Sequence, residues 1–61
     1  MTVEGAIKML GTMLLIKRLT PQQAESLQDR MEAGTLLPQI IRDLYKLDSK
    51  RLAEWLSTHL S

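Results

Sequence analysis

The residues able to do chemistry in this 61-residue chain are few and far apart. A nucleophilic site needs Ser, Thr or Cys beside a basic imidazole and an acid that orients it. The chain has no cysteine and one histidine, His59, close to the C-terminus. His59 reads as an exposed residue near a helix end, where partial positive charge is favourable. Metal sites need clustered ligands. No His-x3-His occurs, no EF-hand-like series of acids occurs, and Asp43 and Asp48 have no further ligands beside them. The three glycines stand at 5, 11 and 34, so no glycine-rich loop can cradle a phosphate. The expectation is a protein that is not an enzyme and has no catalytic residue, cofactor, metal or small-molecule substrate.

Recognition of a nucleic acid is the next chemistry the side chains allow. Arg42, Lys46, Lys50 and Arg51 gather half of the eight cations into ten residues. Gln39 and Arg42 are of the types that read adenine and guanine edges. A helix at about 37–47, preceded by a helix and a glycine turn, has lengths compatible with a helix-turn-helix unit. Three features oppose it. Glu25, Asp29 and Glu32 make the preceding helix acidic, Arg30 falls where such units place a small buried residue, and Pro38 opens the reading helix. A net charge of +1 creates no long-range field toward a polyanion. A small dimeric DNA-binding regulator built on Gln39, Arg42, Lys46, Lys50 and Arg51 is therefore the alternative, not the leading reading.

The elements that must position these residues are helical. Hydrophobic residues are 44%, charged residues 25% and aromatic residues 3%, which suits a globular chain. Phe is absent, Val occurs once, and no stretch of useful length alternates apolar and polar residues. Punctuation gives four pieces. The first spans Val3 to Leu19, capped by Thr2, with Lys17 and Arg18 in its last turn. The second opens on Thr20-Pro21-Gln22-Gln23, which predicts a capping box with Pro at N1, and ends at Gly34. The third follows Thr35 as N-cap, with Leu37, Ile40, Ile41, Leu44 and Leu47 at helical spacing. The fourth spans Ser49 to Leu60, capped by Asp48 or Ser49, unless it continues the third as one bent helix. The fold expected is all-α, a small bundle of three or four short helices, forming a single helical domain over 1–61.

Size sets the remaining problem. A domain of about 60 residues buries only about 60% of its unfolded surface and is marginal alone. Disulfides and metals, the usual remedies, are excluded by composition, which leaves oligomerisation or an economical helical core. On a wheel of 100° per residue, the apolar residues of the first helix fill an arc of roughly 180°, wider than the usual stripe. Leu15 and Leu19 fall outside that arc. The second helix answers with a thin stripe of Ala24, Leu27 and Met31. A homo-oligomer or a different protein partner is therefore expected to meet the first helix. The candidate contact residues are Met9, Met13, Leu15, Ile16 and Leu19, with Trp55 as an aromatic anchor if exposed. Trp55 is otherwise expected in the core.

The functional expectation is a non-enzymatic protein-binding module, an adaptor, inhibitor or regulator of bacterial or phage type. The N-terminus carries Glu4 where a signal peptide needs a base, and no apolar run approaches the ~20 residues of a spanning helix. The chain is accordingly read as a complete cytoplasmic product with no membrane partner.

Overall fold

The computed structural model describes residues 1–60. Four helices follow one another: α1 (Val3–Leu15), α2 (Pro21–Glu32), α3 (Pro38–Lys46) and α4 (Ser49–Leu60). The all-α expectation holds, with four helices rather than three. Among the described residues there is no strand. α1 packs against both α2 and α3, and α4 closes onto α2.

The caps explain where each helix begins. The Thr2 hydroxyl accepts from the Gly5 amide across 3.0 Å. At α2 the capping box is complete: the Thr20 hydroxyl accepts from the Gln23 amide at 3.1 Å, and the Gln23 carboxamide accepts from the Thr20 amide at 3.0 Å. At α4 the Asp48 carboxylate accepts from the Arg51 amide at 2.8 Å. α3 departs from expectation. Its N-cap is Leu37, not Thr35, and no side chain caps it. The Thr35 hydroxyl instead donates backwards to the Arg30 carbonyl at 3.1 Å, closing the end of α2.

The first helix is shorter than its periodicity suggests. It ends at Leu15, not Leu19, because Lys17 turns into the left-handed region at φ 66°. The Arg18 amide donates to the Met13 carbonyl at 2.9 Å and the Lys17 amide to Leu14 at 3.1 Å. Those two bonds form a Schellman cap. α2 ends identically at Gly34, φ 79°, with Thr35 donating to Arg30 at 2.9 Å and Gly34 to Met31 at 3.1 Å. Two turns of the same design therefore punctuate the chain. Each runs left-handed residue, one residue, leucine, N-cap, proline: Lys17-Arg18-Leu19-Thr20-Pro21 and Gly34-Thr35-Leu36-Leu37-Pro38. α3 and α4 stay separate helices because Leu47 adopts an extended backbone, φ −72° and ψ 148°.

One cluster forms the core: Ala6, Leu10 and Met13 from α1, Leu19, Ala24, Leu27 and Met31, Ile41 and Leu44 from α3, and Leu52 and Leu56 from α4. Leu10, Met13, Leu27, Ile41 and Leu44 are buried almost completely. Each such side chain contributes about 1.5–3 kcal/mol relative to exposure. The radius of gyration, 10.3 Å, matches the ~10.5 Å of a compact 61-residue unit.

The wide apolar arc of α1 finds its explanation here. Ala6, Leu10 and Met13 are its buried centre. Ile7 and Leu14 flank them beside Pro21, Ala24 and Gln28 of α2, while Met9 lies on the other flank beside Tyr45 of α3. Two neighbours, one on each side, share the arc that one thin helix could not cover.

Candidate functional site

The sequence-derived contact residues separate into three groups. Met13 and Leu19, expected on the contact surface, are core residues. Leu19 lies off the helical arc yet becomes buried because the Schellman turn reverses the chain before it, where the periodicity of α1 no longer applies. Met9 is half-buried between α1 and α3. Leu15 and Ile16 remain outside, at 80% and 49% exposure.

Ile16 belongs to a cleft of about 550 Å³ between the α1–α2 turn and α4. Its lining is Ile16, Lys17, Arg18 and Gln23 on one side, and Ser49, Leu52, Ala53, Leu56, Ser57 and Leu60 on the other. The α4 residues fall at i, i+3, i+4, i+7, i+8 and i+11, one continuous face of a helix. Ser49, Ala53 and Ser57 are small and exposed, and they leave the space that larger side chains would fill. Leu52 and Leu56 form the floor, buried against the core. At 1.5 Å per residue, the lined face from Ser49 to Leu60 runs roughly 17 Å.

The turn that forms one wall is tied down by a side chain. The Arg18 guanidinium donates to the carbonyl oxygens of Tyr45, at 2.7 Å, and of Leu47. These oxygens lie at the C-terminal end of α3, where helical carbonyls lack partners and carry partial negative charge. The α1–α2 turn is thus pinned to the α3–α4 corner, and Lys17 stands beside the cleft mouth. Among the described residues, Lys17 and Arg18 are the charged ones of the lining, and no carboxylate joins them.

Trp55 lies across α4 from this cleft. It is half-buried, packs against the core, and stacks on His59 with ring centroids 4.2 Å apart and planes at 17°. Its place is neither fully core nor on the Ile16 surface. His59 is exposed, and its Nδ1 is 2.9 Å from the Trp55 carbonyl oxygen. Gln39, Arg42, Lys46, Lys50 and Arg51 are all exposed, on α3 and the first turn of α4. The connection from α2 to α3 covers residues 33–37 and α3 has nine residues, a longer turn than the 3–4 residues of a helix-turn-helix unit.

Among the described residues no three His, Asp or Glu side chains gather into a metal-binding group. None of their helices is long and apolar enough to cross a membrane. No protein-family model, curated protein or solved structure matches the chain.

Sequence reasoning placed Ile16, Lys17 and Arg18 near one another but missed the α4 half of the site. The signal was present as the small residues Ser49, Ala53 and Ser57 at four-residue spacing beside Leu52, Leu56 and Leu60.

Proposed function

We propose that this protein is a small non-enzymatic binding module that receives an apolar segment of another protein in the cleft between the α1–α2 turn and α4. The observation that carries the reading is Ile16 at 49% exposure, facing the exposed Ala53 and half-buried Leu60 across the cleft, over a floor of Leu52 and Leu56. Apolar side chains around a concave site favour a ligand that removes them from water. The face used is the end of α1, not its middle. α2 and α3 take up the middle of α1, so its wide apolar arc needs no second copy.

A selection tests the reading. A displayed library of 14-residue peptides is panned on the protein, with counter-selection on Ala53→Trp, which fills the cleft from an exposed position. Recovery of peptides that bind the parent and not Ala53→Trp supports the module. Recovery of none, or of peptides indifferent to Ala53→Trp, overturns it.

The alternative of a DNA-binding regulator rests on one observation, the exposure of Arg42, Lys46, Lys50 and Arg51 around the two-residue α3–α4 turn. A salt-sensitive shift of a random duplex, lost on Arg42→Ala with Lys46→Ala, would favour it over the cleft.

A further inference from the structure

We infer that the segment received by this cleft is an acidic amphipathic helix of about three turns from a different protein, an inference that rests on the cleft reading above. The first ground is shape. The lined face of α4 is straight and roughly 17 Å long, it faces the α1–α2 turn and Gln23 across the cleft, and among the described residues there is no sheet edge to which an extended peptide could pair. A groove along a helix face seats the apolar face of an amphipathic helix, anchored at i, i+3, i+4 and i+7. A partner of about 12 residues matches the length of α4.

The second ground is charge. Lys17 and Arg18 line the cleft at one end, and among the described residues no carboxylate lines it. The Arg18 guanidinium is turned to the backbone oxygens that end α3, so the exposed Lys17 is the cation that presents its field to whatever enters. Complementary potential sets partner choice and the rate of encounter. A helix with carboxylates flanking a leucine row satisfies both ends of the site. A basic or neutral helix satisfies only the floor.

The same two requirements argue against a second copy. The carboxylates of α2, Glu25, Asp29 and Glu32, are exposed, but the apolar side chains of that helix, Ala24, Leu27 and Met31, are all buried. α4 itself carries a single acid, Glu54. No described helix presents an exposed apolar row together with carboxylates.

Two synthetic 14-residue helices sharing one leucine row, flanked by Glu in one and by Lys in the other, provide the test. Each is titrated into isotope-labelled protein at low salt while amide shifts are followed. The Glu peptide is expected to move Lys17, Ala53 and Ser57 and to bind roughly tenfold tighter than the Lys peptide, since surface ion pairs differ by modest energies. That preference shrinks with added salt and disappears in Lys17→Glu and in Lys17→Gly. Equal affinities for the two peptides, both lost in Ala53→Trp, would overturn the acidic partner and leave the module standing. Binding of neither peptide, or shifts confined to other faces, would overturn this inference. The displayed library then decides separately whether the cleft binds any segment. A dimer in sedimentation whose formation is abolished by Ala53→Trp would replace the partner with a second copy.

Discussion

Arg18 and Tyr45 are 27 residues apart in the chain, and the guanidinium of one donates to the backbone oxygen of the other across 2.7 Å. A second guanidinium nitrogen donates to Leu47. One side chain thereby closes a helix to which it does not belong, and ties the α1–α2 turn to the α3–α4 corner.

The planar fork of arginine is what allows two carbonyls to be met together. Hydrogen bonds to a charged donor are worth about 1.5–3 kcal/mol when well enclosed. Arg18 is half-buried, so Arg18→Ala is expected to cost about 1–2 kcal/mol. Arg18→Lys should recover less than half of the loss. Thermal unfolding followed by circular dichroism measures both, at about 4–8 °C per kcal/mol for a domain of this size. A Tm unchanged in Arg18→Ala would show the pin to be energetically idle.

The two Schellman turns make an internal comparison. Gly34 occupies the left-handed position at no steric cost, whereas Lys17 holds a Cβ there at φ 66°. That conformation costs an L-residue about 1–2 kcal/mol, partly offset by the greater freedom glycine has when unfolded. Lys17→Gly should stabilise the fold by about 0.5–1 kcal/mol. Gly34→Ala should destabilise it by about 1 kcal/mol, although nothing lies within 4 Å of the added Cβ. Chemical denaturation midpoints of the two variants should move in opposite directions.

The same comparison exposes a missing cap. Thr20 and Leu37 hold equivalent N-cap positions, each followed by proline, but Leu37 has no side-chain oxygen to offer, and its carbonyl alone accepts from the Ile40 amide at 3.0 Å. Leu37 is 61% exposed, so little apolar burial is lost by replacing it. Leu37→Thr should add about 0.5–1 kcal/mol, and Thr20→Ala should remove about 1 kcal/mol. Amide exchange in the first turn of α3 should slow in Leu37→Thr; unchanged exchange there would mean the hydroxyl does not cap.

Met13 and Leu15 stand two residues apart and differ entirely in fate. Met13→Asp places a carboxylate in the fully buried centre of α1, a cost of several kcal/mol against a total stability of about 5–15 kcal/mol at best. Loss of helical ellipticity at room temperature is the expected result. Leu15→Gln, at 80% exposure, should stay within about 0.5 kcal/mol of the parent. A folded Met13→Asp would contradict the core described above.

Local physics is legible where it acts over three or four residues. Thr20-Pro21-Gln22-Gln23 announced its capping box, Gly34 its left-handed turn, and the pair Asp48-Ser49 the start of α4, because each bond involved joins neighbours in sequence. The helical class followed from the same short-range periodicity. What could not be read locally was the fate of each apolar side chain. Lys17 ends α1 in a conformation that favours glycine, and the helical periodicity ran past it to Leu19. Once the chain reversed there, Leu19 turned inward, Leu15 and Ile16 stayed out, and α2 and α3 divided the arc of α1 between them. The candidate cleft is a product of that reversal: its two walls are 26 residues or more apart, from Gln23 to Ser49, and only packing brings Ile16 and Lys17 to the small residues of α4. Side-chain type and spacing determined which faces were apolar; the tertiary fold decided which of them another part of the chain would cover.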